Sequence, residues 1–190
     1  MDRKIKKNWV REYFSIPNLL GYFRLFLLPF YLYLYLNAKS NLDYYAAAFV
    51  IFISFLTDLV DGRVARNYDM VTEFGKILDP VADKITQGVL AISFIFRYSI
   101  IKVLLAVFLI KEFILGALAL YMMRRGFRMN GAKMHGKICT VVLDVTFLIL
   151  LLFPTLPMNL IYYLVTVSIA AMMASLLLYL KMYFSVWKTN

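Results

Sequence analysis

One cysteine and one histidine are all that the 190 residues contain. A lone Cys139 cannot close an internal disulfide and leaves the redox compartment open. It lies in an apolar stretch, where packing is its expected role. With no cluster of Cys and His, thiolate and imidazole metal sites are excluded, zinc foremost. Charge is also scarce: 17% of residues are charged and 63% hydrophobic, and the mean hydropathy is +0.74. A soluble domain of this size has too little interior to hide so much apolar surface, so lipid must do it. The 5 prolines and 8 glycines form no linker, and neither a low-complexity tract nor an internal repeat is present. The length suits one compact domain.

Acidic residues number 11 against 21 basic ones, a net charge of +10. Nucleic acid is excluded as the partner, because the basic residues gather at the ends of apolar segments, as membrane topology and anionic headgroups require. Six stretches have the length and apolarity expected of membrane helices: Pro17–Leu36, Tyr44–Asp61, Pro80–Phe96, Ile100–Met123, Lys137–Phe153 and Leu160–Phe184. The fold class is therefore all-α, polytopic and six-spanning. The first stretch exceeds the core of a signal peptide and lacks a small-residue exit, so it is expected to stay in the protein.

With the N-terminus inside, the inner segments carry Arg3, Lys4, Lys6, Lys7, Arg11, Arg63, Arg66, Lys76, Arg124, Arg125, Arg128, Lys133, Lys137, Lys181 and Lys188. The outer segments carry Lys39, Arg97 and Lys102. This asymmetry puts both termini on the cytoplasmic side of the cell (inner) membrane. Residues 2–14 alternate basic and apolar side chains near helical spacing, with Trp9, Tyr13 and Phe14 available to an interface. Residues 1–15 thus read as an amphipathic surface helix on an anionic bilayer, and 16–190 as the membrane domain.

Charges at a membrane edge need a cause. Asp58 and Asp61 are i,i+3 and Asp79 and Asp83 are i,i+4, so each pair shares a helix face. The two helices are joined by a short loop and run antiparallel, which lets the acidic faces meet. Four converging carboxylates repel unless cations lie between them. Oxygen ligands select Mg²⁺, Mn²⁺ or Ca²⁺. As the alternative, Asp79 before Pro80 fits an N-cap followed by proline, but capping does not account for Asp58 inside an apolar helix. Gly62 and Gly75 remove bulk, Ala65 keeps a turn small, and Arg66 supplies a planar fork suited to phosphate. Together these read as a metal-bound pyrophosphate pocket. The active site then lies on the cytoplasmic side.

The stretch Asp58-Leu-Val-Asp61-Gly62-Arg-Val-Ala65-Arg66, eight residues, Gly75-Lys-Ile-Leu-Asp79-Pro-Val-Ala-Asp83 resembles the complete D-x-x-D-G-x-x-A-R-x8-G-x-x-x-D-x-x-x-D signature of the CDP-alcohol phosphotransferases. The resemblance implies a metal-dependent enzyme with Asp58, Asp61 and Asp79 as ligands of two Mg²⁺ or Mn²⁺ ions. It implies Asp83 as the general base, also touching one ion, and Gly62, Ala65, Arg66, Gly75, Thr72 and Asn18 as the pocket of a CDP-linked donor. The donor expected at a membrane edge is CDP-diacylglycerol, whose tails stay in lipid while CMP leaves. A homodimer is expected on the same resemblance.

The opening Pro17-Asn18-Leu-Leu-Gly21-Tyr-Phe-Arg24 resembles the P-N-x-x-T-x-x-R start of the phosphatidylglycerophosphate synthases in that family, with Gly21 for Thr. For Arg24 the alternative is snorkelling to the inner interface. Lys111-Glu112-Phe113 resembles their R-E-F element with Lys for Arg, and Gly136-Lys137-Ile-Cys139-Thr140 their G-K-x-K-T element with Cys for Lys. Where a T-G-L-R run is usual, the chain reads Gly116-Ala-Leu-Ala119. The implied acceptor is a small phosphorylated alcohol, glycerol 3-phosphate, held by Lys111, Lys137, Arg124 and Arg125. Phosphatidylglycerol, as in the cardiolipin synthases of this superfamily, an inositol-type alcohol or another alcohol is the alternative acceptor. Glu112 and Asp144 are intramembrane acids and hence functional candidates. A divalent-cation transporter and a membrane anchor are the readings from other classes. The first fits poorly with acids at one membrane edge, and the second leaves the motif unexplained.

Overall fold

The computed structural model describes residues 9–68, 70–125 and 134–188, apart from the side chains of Val10, Arg11, Arg66, His135 and residues 185–188. The described residues are helical, with no strand among them: α1 (Trp9–Tyr13), α2 (Ile16–Leu36), α3 (Asn41–Asn67), α4 (Gly75–Ile95), α5 (Ile101–Arg124), α6 (Met134–Leu152) and α7 (Met158–Lys188). Each of the six expected stretches coincides with one of α2 to α7. Four helices are long and apolar enough to cross a membrane: Ile16–Leu36, Asn41–Ala65, Ile101–Arg124 and Met158–Phe184. Of the expected surface helix, Trp9–Tyr13 is helical, and residues 1–8 lie outside the described residues.

Local chemistry explains where these helices begin and end. Pro17 sits in the first turn of α2, where a missing N–H costs nothing. A capping box opens α3: the Ser40 hydroxyl accepts from the Asp43 amide at 3.3 Å, and the Asp43 carboxylate accepts from the Ser40 amide at 2.8 Å. The helix then runs six residues beyond Asp61, so Gly62 and Ala65 are helical rather than part of the connection. On the far side, α4 begins at Gly75, which puts Asp79 inside the helix and excludes it as an N-cap. The earlier start has a visible cause, because the Gly75 amide donates to the Thr72 hydroxyl at 2.9 Å and so receives its cap from Thr72.

The chain divides into two compact units, Met1–Ser93 and Phe94–Asn190. In the first, α2 packs along α3, and the fully buried Tyr31 shares a 2.7 Å hydrogen bond with Ser93 on α4. Tyr35 on α2 meets Tyr44 on α3 edge-on at 5.2 Å between ring centres. In the second, α7 packs on both α5 and α6. Met122, Tyr179 and Tyr183 form a buried cluster with Leu115, Leu118 and Met182 around them. Thr146 and Ser168 join α6 to α7 by a buried 2.8 Å hydrogen bond. The carbonyl of Pro154 accepts from Arg97 at 2.5 Å and from the Tyr98 hydroxyl at 3.3 Å, which anchors the α6–α7 turn. Phe26, Phe49, Phe113 and Leu177 project outward and exposed, a surface suited to lipid rather than to water.

Candidate functional site

The acidic residues occupy the last three turns of α3 and the first three of α4. Asp61 is buried, and its Oδ2 has no hydrogen-bond partner. Asp58 is partly buried, Asp79 is exposed, and Asp83 is half exposed one turn further along α4. Between Asp58 and Asp83 lies Arg24 of α2, whose side chain is 3% exposed. Its Nη1 donates to the Asp58 carboxylate and, at 3.0 Å, to Asp83 Oδ1. The other two guanidinium nitrogens, Nε and Nη2, are buried without a partner. Snorkelling is thereby overturned for Arg24: the side chain turns inward to two carboxylates, because an unpaired charge this deep would be costly.

Among the described residues no three carboxylate, imidazole or thiol groups are gathered closely enough to hold a metal ion, and a guanidinium stands where the sequence suggested one. The donor chemistry nonetheless suits a hard cation: Asp58 and Asp61 offer carboxylate oxygens on neighbouring turns of α3, Asp83 offers another on α4, and Asp61 keeps a buried oxygen unsatisfied.

A second network lies at the α3–α4 connection. Asn18 Nδ2 donates to the Glu12 carbonyl at 2.8 Å and to the Thr72 hydroxyl at 3.2 Å. The Glu12 carboxylate accepts from the Phe74 amide at 3.1 Å. Tyr13 packs on the Phe74 ring at 4.8 Å, and the Tyr22 hydroxyl donates to the Tyr13 carbonyl at 3.2 Å. A Cβ on Gly75 would lie 2.7 Å from Asn18 Oδ1 and 3.0 Å from Thr72 Oγ1, so a larger residue would have to push these side chains aside. Asn18, Thr72 and Gly75, named separately from the sequence, are thus one bonded group. Glu12 was missed. Its only signal is an acid within a basic segment, which does not reveal the amide it caps.

The family comparison matches residues 14–187 to CDP-alcohol phosphatidyltransferase, nearly the whole chain. The chain belongs to this family. Among similar proteins, the CDP-diacylglycerol–glycerol-3-phosphate 3-phosphatidyltransferase of Wigglesworthia glossinidia brevipalpis is 37% identical over 115 residues, 59% of this chain and 62% of that protein. The protein of that name from Escherichia coli K12 is 35% identical over 121 residues, 63% of this chain and 66% of the relative. That from Rickettsia typhi is 31% identical over 105 residues, 55% and 58%. In each case the match spans less than two thirds of the relative's own length.

Most of the other residues suggested from the sequence belong to the second unit. Lys111 is buried on α5 and donates to the Glu112 carboxylate at 2.7 Å. Lys137 is exposed on the first turn of α6. Arg124 and Arg125 are exposed at the end of α5, with the Arg125 guanidinium 5.3 Å from the centre of the Tyr121 ring. Cys139 is buried, as expected of a packing residue. Gly62 and Ala65 are partly buried on α3. The side chains of Arg66 and His135 lie outside the described residues.

Proposed function

We propose that the chain is a metal-dependent phosphatidyltransferase that moves the phosphatidyl group of CDP-diacylglycerol to glycerol 3-phosphate and releases CMP. The observation that carries the reading is the acidic face of α3 and α4, where Asp58 and Asp83 converge on one cation and Asp61 presents an unsatisfied buried oxygen. The names of the relatives support the donor and the acceptor.

The chemistry follows from the groups present. The acceptor hydroxyl attacks the β-phosphorus, and the phosphoanhydride oxygen leaves with CMP. Asp83, half exposed, can reach a dissolved alcohol and take the hydroxyl proton as the new P–O bond forms. Asp58, Asp61 and Asp79 would hold two Mg²⁺ or Mn²⁺ ions, which when bound neutralise phosphate charge. Gly62, Ala65 and Arg66 on α3, with the Asn18–Thr72–Gly75 group, would receive the cytidine diphosphate portion. Lys111, Lys137, Arg124 and Arg125 would hold the acceptor phosphate. Six spans, cytoplasmic termini, an inner-membrane location, an N-terminal helix on anionic lipid and a homodimer complete the reading.

A second reading keeps the donor and changes the acceptor. Gly21, Ala119 and Cys139 favour it, since none supplies the polar or cationic group usual at its position, and Gly21 instead leaves room for Leu78. The deciding experiment measures CMP release from CDP-diacylglycerol in detergent against a panel of alcohols. Release with glycerol 3-phosphate upholds the first reading. Release only with another alcohol refutes it.

A further inference from the structure

Arg24 sits in an arrangement that satisfies the carboxylates better than it satisfies Arg24. One nitrogen, Nη1, serves both Asp58 and Asp83, while Nε and Nη2 are buried with no partner. A buried donor left unmade is unfavourable. A guanidinium committed to this position permanently would be expected to use its planar fork on one carboxylate, two N–H groups at a time. The residue also lies about two turns into an apolar helix, where the acids of α3 and α4 answer its charge. Of these two carboxylates, Asp58 is one that the proposed reaction needs for divalent ions, and Asp83 is its proton acceptor beside them.

We propose that Arg24 is a built-in counter-cation of the acidic site, competing with divalent ions for Asp58 and Asp83 and yielding those oxygens when an ion enters. It keeps the carboxylates charged and the helices together when no ion is bound, and it sets how tightly the first ion binds. The inference rests on the metal reading of the site.

The test uses the full-length protein in detergent micelles and reads Mn²⁺ binding by electron paramagnetic resonance, with thermal unfolding in EDTA alongside. Removing the competing charge in Arg24→Gln should tighten Mn²⁺ binding by at least about tenfold, the scale of a lost charge-assisted contact. It should lower the unfolding temperature in EDTA, and Mn²⁺ should restore it. Arg24→Lys, which keeps the charge, should bind Mn²⁺ within a few-fold of wild type.

A folded Arg24→Gln that binds Mn²⁺ no tighter than a binding-competent wild type overturns the role of Arg24 alone. Absence of Mn²⁺ binding in both proteins overturns the metal reading with it. Should Arg24→Gln fail to fold, phenylglyoxal labelling of Arg24 in the wild type decides, read by mass spectrometry. Labelling that changes on Mn²⁺ saturation supports displacement, and labelling that stays the same sinks it.

Discussion

The acidic end of the first unit and the basic positions of the second are built in opposite ways. Asp58 and Asp61 stand on α3 and Asp83 on α4, whose start is tied by the Asn18–Thr72–Gly75 group and the Glu12 cap, and Asp61 is buried. Lys137, Arg124 and Arg125 stand exposed at helix ends, and only Lys111 is buried and paired. Rigid, partly dry carboxylates suit a reacting centre that must not reorganise during the step. Exposed, rotatable cations suit capture of a soluble anion. The first region should therefore govern the rate and the second the acceptor affinity.

The sharpest way to break that contrast is Asp83→Asn. On the proposed role of Asp83 as proton acceptor, its loss should lower the chemical step by roughly 10²–10⁴-fold, with donor binding retained. A collapse of donor affinity with the chemistry intact would move Asp83 to a holding role. Asp58→Asn and Asp61→Asn should each lower CMP release by about 10²–10³-fold, since neutralising phosphate charge is worth several kcal/mol. EDTA should stop the wild-type reaction, and added Mg²⁺ or Mn²⁺ should restart it. Wild-type turnover in either variant would refute the assignment.

Smaller effects sharpen the other side. Lys137→Ala should raise the acceptor KM by about 10–150-fold and leave the donor KM nearly unchanged. The same change at Lys111 also leaves Glu112 without its cation, so loss of stability should accompany it, and Glu112→Gln in the same chain should recover part of that loss. Equal effects on both KM values would erase the division of labour. The smallest change expected is in Gly75→Ala. Its methyl meets Asn18 and Thr72, so at about 1–3 kcal/mol of crowding the donor KM should rise while the acceptor KM holds.

Helix count and approximate placement were legible because apolar runs of membrane length are written directly in the residue order, and the pairs Asp58/Asp61 and Asp79/Asp83 because i,i+3 and i,i+4 spacing is local geometry. Helix limits were less so. Hydropathy falls at Asp61 and again before Pro80, yet backbone hydrogen bonding continues α3 to Asn67 and starts α4 at Gly75, since polar residues can extend a helix beyond its apolar part. What the residue order alone determined is the solvent, the helical class and which carboxylates share a face. Only tertiary structure decided that Arg24 enters between Asp58 and Asp83 and that Glu12 caps Phe74, 62 positions away. These are long-range pairings between single side chains, which no periodicity encodes, and each is selected because a buried charge or amide must find its partner wherever the fold brings one.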